Sequence, residues 1–243
     1  MKFYSFYSDN LPSKIVEDHQ RVCEKMDIEV QYHVYEFPKD DVFTLGLKNV
    51  GYLLTDRHDT LYTAHGKFMT SVMEKEEVAC FLDIDCLPYN KENIEKAYNW
   101  AVENKSFIGN AQNISHTTMR NHVYAAASFL IVTKDAWNTL GNPDLSWFMQ
   151  GDTQIDTAQI LTLRADQIGM PYQLMYPIGY DEPGVKLSGY GMYGTGTLYP
   201  ATWHYFRISK FKDSIPDLWT TRVNNILENQ KIISNHSSCF YGL

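Results

Sequence analysis

The sequence predicts an α/β fold with a mostly parallel central sheet flanked by helices. Apolar, strand-like runs alternate with amphipathic helical segments through the first half of the chain, a pattern typical of βαβ units. The chain has 243 residues, 44% of them hydrophobic, which is enough to bury a sizeable core. No internal repeat or clear domain boundary is visible, so we expect a single domain over residues 1–243.

Each element of the first half has its own sequence signal. The aromatic run from Lys2 ends at the turn-forming residues Asp9-Asn10-Leu11-Pro12, and Ser13 is suited to cap the next helix. Apolar residues at helical spacing predict helices, and aromatic or β-branched runs predict strands. In chain order the predicted elements are a strand at Lys2–Ser8, a helix from Ser13, a strand at Ile28–Tyr35, a helix at Asp59–Glu77 and a strand at Val78–Leu82.

The second half alternates shorter elements with breakers. A glycine-rich stretch at residues 181–197 predicts a flexible loop, and its tyrosines are more typical of a lid or binding element than of a plain connection. A further helix is expected near the C-terminus. The other predicted elements are helices at Glu92–Glu103, Lys134–Leu140 and Thr153–Ile168, the last ended by Gly169, and strands at Phe107–Asn110 and Ser128–Val132.

Composition excludes several classes of partner. The formal net charge of −8 argues against a surface that tracks nucleic acid or an anionic membrane. No window has the 18 or so consecutive apolar residues of a membrane span, and the N-terminus lacks the apolar core of a signal peptide. The four cysteines form no C-x-x-C pair, which favours reduced thiols and a cytoplasmic location.

Two carboxylates follow the apolar run Val78–Leu82, in the tripeptide Asp83-Ile84-Asp85. Alternate residues of a strand point to the same face, so Asp83 and Asp85 can converge on one point. Carboxylate oxygens are the ligands that Mg²⁺ and Mn²⁺ prefer. Ligands bind at the carboxyl ends of strands in parallel sheets. The bare Asp-x-Asp pattern also arises by chance in a chain of this composition, so its context carries the interpretation.

Together with other segments, this tripeptide resembles the Asp-x-Asp motif of GT-A-fold glycosyltransferases, enzymes that use nucleotide sugars. The resemblance extends over nearly the whole chain. The opening strand is similar to the one that meets the nucleotide in that family, and the later segments to those around its sugar site. The matching segments are Phe3–Ser8 with Asp9-Asn10, Cys80–Cys86, Ala126–Val132 with Lys134–Trp137, and Gly151–Gln159.

A histidine and a lysine six residues apart, His204 and Lys210, resemble the HFxGxxK ending of glycogenin-like, retaining members. The resemblance implies that Asp85 and His204 bind the metal, that Asp83 contacts the ribose or a metal-bound water, and that Lys210 holds the diphosphate. A histidine nitrogen favours Mn²⁺ over Mg²⁺. Arg207 stands where that motif has glycine, and Tyr205 where it has phenylalanine, which leaves the subfamily and the stereochemistry open.

The resemblance also implies a function. It predicts a retaining hexosyltransferase that moves a sugar from a nucleoside-diphosphate sugar, a UDP-sugar by family likeness, to a hydroxyl acceptor such as a glycan. Residues 1 to about 110 would form the nucleotide-binding half, and residues from about 111 to 243 the acceptor half. Phe6, Tyr7 and Ser8 would contact the nucleotide.

Asp152 and Asp156 lie four residues apart at the predicted start of the Thr153–Ile168 helix. Acidic side chains are stabilised there by the helix dipole, so both can be explained as capping residues. Asp152 fits a cap, whereas Asp156, one turn inside, fits a catalytic position better. It would be a base in an inverting enzyme or a contact to a sugar hydroxyl in a retaining one.

Two alternatives compete with the transferase. Phosphatases of the haloacid dehalogenase type also use two aspartates at a strand end, but their DxDx[TV] signature lies near the N-terminus, and the fifth position here is Leu87. A catalytically inactive nucleotide-sugar-binding relative would keep the fold and lose only the rate.

Asn110 and Gln112 could contact sugar hydroxyls or form a turn.

Overall fold

The computed structural model describes residues 1–36, 56–113, 122–150, 153–183, 194–205, 215–232 and 236–237. These residues form a mixed α/β structure with a mostly parallel central sheet flanked by helices. The predicted fold class is therefore confirmed. The single-domain boundary at 1–243 and its two halves stay predictions.

Six helices lie in the described part of the chain. Asn90 caps the third by accepting a hydrogen bond from the Asn93 amide (3.1 Å), and Thr133 caps the fourth through Ala136 (3.2 Å). The helices are α1 (Ser13–Lys25), α2 (Asp56–Met73), α3 (Lys91–Glu103), α4 (Lys134–Thr139), α5 (Gln159–Ile168) and α6 (Asp217–Leu227).

Thirteen strands lie in the same described ranges, and several are only two or three residues long. They are β1 (Lys2–Ser8), β2 (Glu29–Tyr35), β3 (Val78–Leu82), β4 (Cys86–Pro88), β5 (Phe107–Asn113), β6 (Val123–Thr133), β7 (Phe148–Gln150), β8 (Thr153–Ile155), β9 (Gln173–Met175), β10 (Gly179–Pro183), β11 (Gly194–Leu198), β12 (Thr202–Tyr205) and β13 (His236–Ser237).

The central sheet has six strands in the order β2-β1-β3-β6-β5-β9. Strand β1 pairs in parallel with β2 and β3, and β5 pairs in parallel with β9. Strand β6 runs antiparallel to both of its neighbours. The other five strands therefore point the same way, and their carboxyl ends share one edge of the sheet, where ligands bind in such folds.

A second sheet, with the order β13-β10-β11-β12-β4, is antiparallel throughout. Strand β4 follows β3 after a three-residue turn, so the turn joins the two sheets. The sequence did not predict this sheet. It also changes the expectation for residues 181–197, because residues 181–183 end β10 and residues 194–197 begin β11; residues 184–193 lie outside the described ranges.

Both faces of the central sheet are covered by helices. Helices α2, α4 and α5 pack on one face, with Met69, Trp137 and Leu161 in the buried core. Helices α1 and α3 pack on the other face. Helix α6 packs against α1 and the second sheet through Trp219, next to Trp203. The packed layers cover the two faces of the sheet, and polar side chains lie at the carboxyl edge of β1 and β3.

Several predicted boundaries need correction. The predicted helix at Thr153–Ile168 is wrong in its first half, because Thr153–Ile155 form strand β8 and the helix begins only at Gln159. Ala158, with φ 64°, reverses the chain just before that helix. Gly169, also in the left-handed region, ends it as predicted. Ser13 is the first helical residue of α1 rather than its cap.

Two further expectations concern cysteines and membrane spans. Cys23, Cys80 and Cys86 are buried free thiols, and Cys239 lies outside the described residues. Among the described helices, none combines the length and the apolar character that crossing a bilayer requires.

Candidate active site

Asp83 and Asp85 lie on the turn between β3 and β4. The Asp83 amide donates to the Ser128 carbonyl (3.0 Å), and the Cys86 amide donates to the Asp83 carbonyl (2.9 Å). Ile84, 8% exposed, packs between them into the core. An anchored turn therefore brings the two carboxylates together. The sequence analysis explained their convergence by two alternate residues of a strand facing the same way, and that explanation was wrong.

His204 reaches this turn from the second sheet. Strand β12 pairs with β4 so that His204 lies opposite Cys86, and the Tyr205 amide donates to the Asp85 carbonyl (2.8 Å). His204 Nε2 lies 3.3 Å from Asp85 Oδ1, and the His204 side chain is 8% exposed. Burial alone would lower the pKa of His204, but Asp85 and Asp83 outweigh it and raise that pKa above its usual value.

Asp83 carries the strongest electrostatic perturbation of the turn. Burial first, and then the neighbouring Asp85 and Asp156, raise the pKa of Asp83 to about 7, although His204 acts in the opposite direction. Asp83 and Asp85 repel each other when both are ionised. A bound cation would relieve that repulsion.

His65, on α2, is a further member of the site that the sequence analysis missed. Its Nε2 lies 3.5 Å from Asp83 Oδ1, and its ring stacks on Phe6 with centroids 4.9 Å apart and an interplanar angle of 7°. Burial lowers the pKa of His65 to about 4 despite the opposing effect of Asp85, so the ring is neutral at pH 7. A histidine at a polar position of a helix gives no sequence signal of this contact.

Gly66 explains how α2 comes close enough for this contact. A Cβ at residue 66 would overlap the backbone of Leu145 and Ser146, so only glycine permits the approach. The Leu145 amide donates to Thr70 Oγ1 (2.9 Å) and fixes the same helix one turn later. Helix α2 is therefore held against the segment that follows α4, and His65 is held over the turn.

Asp156 lies between β8 and α5, and not inside a helix. Tyr124 on β6 donates a hydrogen bond from its hydroxyl to Asp156 Oδ2 (2.5 Å), and the Thr157 amide donates to Asp156 Oδ1 (2.9 Å). The Asp156 amide donates to Gln159 Oε1 (2.8 Å). Because Asp156 contributes to the raised pKa of Asp83, it lies within electrostatic reach of the turn.

The three predicted nucleotide contacts on β1 take different positions. Phe6 is 7% exposed and packs with Phe68 and His65, so little of its ring is available to a ligand. Tyr7 is one residue further along the strand and meets Tyr32 edge-on at 6.3 Å. Ser8, at the end of the strand, donates to Asn10 Oδ1 (2.5 Å).

Other sequence candidates are placed less favourably or lie outside the described residues. Asp152 and Lys210 belong to segments that the structure does not describe. Asn110 lies inside β5, fully buried, and its amide donates to Ser128 Oγ (3.3 Å) and Thr202 Oγ1 (3.1 Å). It therefore ties the two sheets together below the turn, and the turn-forming role is excluded.

The donor types fit a divalent cation. Asp83, Asp85, His65 and His204 offer two carboxylates and two imidazoles, which suit Mn²⁺ better than Mg²⁺. In the described ranges they form two His–Asp pairs, and no three His, Cys, Asp or Glu side chains there surround one point as metal ligands. Donor chemistry and charge support a cation here.

No protein-family model and no curated protein matches the sequence. Among solved structures, the chain is similar to a mannosyltransferase from Pyrobaculum calidifontis in complex with GDP-Man and Mn²⁺, at 9% identity and a TM-score of 0.41. It is also similar to a glycosyltransferase involved in glycosylation of the major capsid of PBCV-1, at 13% identity and a TM-score of 0.34.

The chain spans only part of each of these proteins. The alignment covers 71% of this chain and 53% of the mannosyltransferase, and 57% of this chain and 62% of the capsid glycosyltransferase. Likenesses this distant carry no argument about function.

Proposed function

We propose that this chain is a metal-dependent glycosyltransferase that transfers a sugar from a nucleoside-diphosphate sugar to a hydroxyl acceptor. One observation carries the proposal. His204, from the second sheet, lies 3.3 Å from Asp85 on the acidic turn after β3, and Asp156 contributes to the raised pKa of Asp83 on the same turn. This cluster lies at the carboxyl edge of the parallel strands, where nucleotides bind in α/β sheets. A cation would offset the repulsion between these carboxylates, and a diphosphate would bind the same cation.

Asp85 and His204 would hold the metal, and Asp83 would complete its surroundings through the ribose or a bound water. When bound, the cation stabilises the negative charge that develops on the departing diphosphate. Lys210 would neutralise the same group as a compact positive charge. Phe6, Tyr7 and Ser8 lie in the last part of β1 and would contact the nucleotide there.

Asp156 is the residue that we assign to the reacting sugar. Tyr124 and the Thr157 amide each bind one of its carboxylate oxygens, so its orientation is fixed before substrate binds. It would act as a base in an inverting reaction or contact a sugar hydroxyl in a retaining one. We favour retention of a hexosyl group and a UDP donor, and keep Asp152 as the second carboxylate candidate.

A panel of nucleotide sugars tests the function. The protein is incubated with each donor and Mn²⁺, with EDTA as the metal-free comparison, and released nucleoside diphosphate is measured. We expect metal-dependent release, which Asp85→Asn abolishes. Asp135→Asn is the matched control, because Asp135 is 58% exposed and pairs with Lys105 on the surface. Wild-type turnover by Asp85→Asn would contradict the metal site.

Two other results would replace this function. Cleavage of a phosphomonoester without release of nucleoside diphosphate would identify a phosphatase. A donor that raises the melting temperature with Mn²⁺ but is never turned over, with any acceptor tried, would identify an inactive binding relative.

A further inference from the structure

We propose that His122 is a positioning residue for Asp156, which it holds through the side chain of Gln159. The inference rests on the role that the proposed function gives Asp156 and extends it to the protonation state in which the site can turn over. His122 directly precedes β6, Gln159 is the first residue of α5, and Asp156 lies just before that helix. A contact between His122 and Gln159 therefore connects the start of β6 to the segment that carries Asp156.

Gln159 is the middle member of this hydrogen-bonded line, and its two ends have opposite roles. The Gln159 side chain is fully buried, and its Oε1 atom accepts from the Asp156 amide (2.8 Å). Its Nε2 atom lies 3.0 Å from His122 Nδ1. A backbone amide can only donate, so the atom that faces it must be the Gln159 oxygen, and the Gln159 nitrogen must face His122. Asp156 therefore fixes which way round the Gln159 amide lies.

The protonation of the His122 ring follows from this orientation. Because Gln159 Nε2 donates, His122 Nδ1 has to accept, and a ring nitrogen accepts only when it carries no proton. The single proton of the neutral ring is then on Nε2, which lies 3.4 Å from Asp166 Oδ2. The hydrogen-bonded line is therefore complete only with an uncharged His122 in this one tautomer.

The surroundings of the His122 ring favour that uncharged state. In the described part of the chain the ring faces Asp166 and Gln159 on α5 and stacks in parallel on Tyr124 of β6, with centroids 6.3 Å apart. Burial lowers the pKa of His122, and Asp166 acts in the opposite direction. Asp166 is 48% exposed and also accepts from the Tyr172 hydroxyl, so its attraction for a proton on the ring is weakened. His122 is therefore neutral at pH 7 and becomes charged only below its ordinary pKa of 6.5.

Protonation of His122 breaks the line. With a proton on Nδ1, two donors would face each other across 3.0 Å. Turning the Gln159 amide round gives no escape, because its nitrogen would then face the Asp156 amide, again donor to donor. Tyr124 and the Thr157 amide still bind the Asp156 carboxylate, but the backbone that carries it loses this restraint. A misplacement of about 1 Å can cost about 100-fold in rate, so His122 makes the placement of Asp156 depend on pH.

Two substitutions of His122 separate positioning from a purely structural role. Asparagine carries an uncharged oxygen in the place of Nδ1 and keeps the acceptor, whereas leucine removes it. We expect His122→Leu to lower kcat about 10-fold at pH 7, with donor and Mn²⁺ affinity unchanged, and His122→Asn to restore it. Between pH 7 and pH 5 the kcat of His122→Asn should fall less than that of the wild type. Asp83, whose pKa is raised to about 7, also titrates in this range, but its effect is common to both proteins.

Nuclear magnetic resonance tests the same line without any substrate. In ¹⁵N-labelled protein at pH 7, His122 should show an unprotonated Nδ1 and a protonated Nε2, and the Asp156 amide signal should move as His122 titrates. That movement should be absent in His122→Asn. Gln159→Glu places a carboxylate oxygen opposite Nδ1, so it should put a proton on that nitrogen and raise the pKa of His122. His33→Asn is the matched control, because it replaces an exposed histidine on β2 and should leave the Asp156 signal as in the wild type.

The outcomes keep this inference apart from the proposed function. A proton on Nδ1 of His122 at pH 7, or an Asp156 amide signal that does not follow the titration of His122, overturns the positioning role and leaves the transferase in place. Equal kcat in His122→Leu and the wild type does the same. An Asp156 signal that follows His122 in a protein that never turns over a donor supports the hold of His122 on Asp156 and overturns the proposed function. If His122→Leu does not fold, the tautomer and the titration in the wild type decide.

Discussion

Tyr124 fixes Asp156 by donating a hydrogen bond of 2.5 Å to its Oδ2 atom. Tyr124 is 1% exposed and belongs to β6, the antiparallel strand of the central sheet. The carboxylate is thus oriented from the sheet rather than by a helix terminus. In the proposed function Asp156 would act on the substrate and Tyr124 would only position Asp156.

Replacing Tyr124 with phenylalanine should therefore lower the turnover number and leave metal and donor affinity unchanged. A hydrogen bond to a charged group contributes about 1.5–3 kcal/mol, so we expect kcat to fall by about 10- to 100-fold. Steady-state kinetics and Mn²⁺ titration check this. Tyr172→Phe is the control, because Tyr172 also donates to an aspartate, the exposed Asp166. Equal losses in both variants would contradict a specific role.

The Gly66→Ala variant should be destabilised, although alanine is favoured over glycine in most helices by about 1 kcal/mol. The added methyl group would overlap the backbone at Ser146, and overpacking costs about 1–3 kcal/mol. Urea unfolding measures the change. Lys67→Ala, at the next and exposed position, should stay within about 0.5 kcal/mol of wild type. A more stable Gly66→Ala protein would show that α2 is not held there.

A buried ion pair anchors α6 to the second sheet. Arg222 donates to both carboxylate oxygens of Asp181, from Nε to Oδ2 (2.9 Å) and from Nη2 to Oδ1. Trp203 Nε1 also donates to Asp181 Oδ2 (2.8 Å). Both charged side chains are nearly inaccessible, at 7% and 1% exposure. Trp203 is adjacent to His204, so this pair also supports the strand that carries the histidine.

Arg222→Met should destabilise the protein by about 3–5 kcal/mol, because it leaves the Asp181 carboxylate buried without its cation. The double variant Asp181→Asn/Arg222→Met should recover at least about 1 kcal/mol, since the amide oxygen still accepts from Trp203. Denaturant unfolding of both variants measures this. Lys96→Met removes the exposed Lys96–Glu92 pair and should cost less than about 1 kcal/mol. A double variant less stable than Arg222→Met would refute the argument.

The central sheet could be predicted because its signals are local. Val78–Leu82 and Lys2–Ser8 are strands with the predicted bounds, since a short apolar or aromatic run bounded by breakers has few alternatives. The first half of the Thr153–Ile168 segment was mispredicted because its helical pattern runs on through Asp156. The break is made by Ala158 at positive φ, which neither glycine nor proline signals.

The site was only partly predictable because its members meet through long-range pairing. Asp83 and Asp85 follow directly from the strand before them. His204 was singled out only by resemblance, because the pairing of β4 with β12 joins strands of three and four residues more than 100 residues apart. His65 gave no signal, because its contact depends on how closely Gly66 lets α2 approach.

His19 provides a test of the buried region beneath the turn. Its ring is fully buried in α1, with Nδ1 2.8 Å from the Tyr32 hydroxyl. Burial is the main cause that lowers the pKa of His19 to about 4 from an ordinary 6.5, against smaller opposing contributions from Cys86, Asp85 and Asp83. The unfolded chain therefore binds a proton between these two pH values that the folded protein does not.

Stability that depends on His19 should accordingly be complete above pH 6.5 and be lost as the pH falls from 6.5 towards 4. One pKa unit corresponds to about 1.4 kcal/mol, so the shift from 6.5 to about 4 corresponds to a loss of at most roughly 3–4 kcal/mol. Asp83, whose pKa is raised to about 7 by burial and by Asp85, contributes with the opposite sign in this window. Its effect is common to wild type and variant and cancels in their difference.

Urea unfolding of wild type and His19→Gln at several values between pH 4 and 7 measures the effect. The variant loses the ring and its contact with Tyr32, so it should be less stable at pH 7, and the gap should narrow as the pH falls. His33→Gln, which replaces an exposed histidine on β2, should follow the wild-type curve throughout. The difference in the free energy of unfolding between wild type and His19→Gln could also stay constant with pH. That result would show that the folded protein accommodates the protonated His19 ring. The region beneath the turn would then be better hydrated than its burial indicates, and the pKa of Asp83 would fall for the same reason.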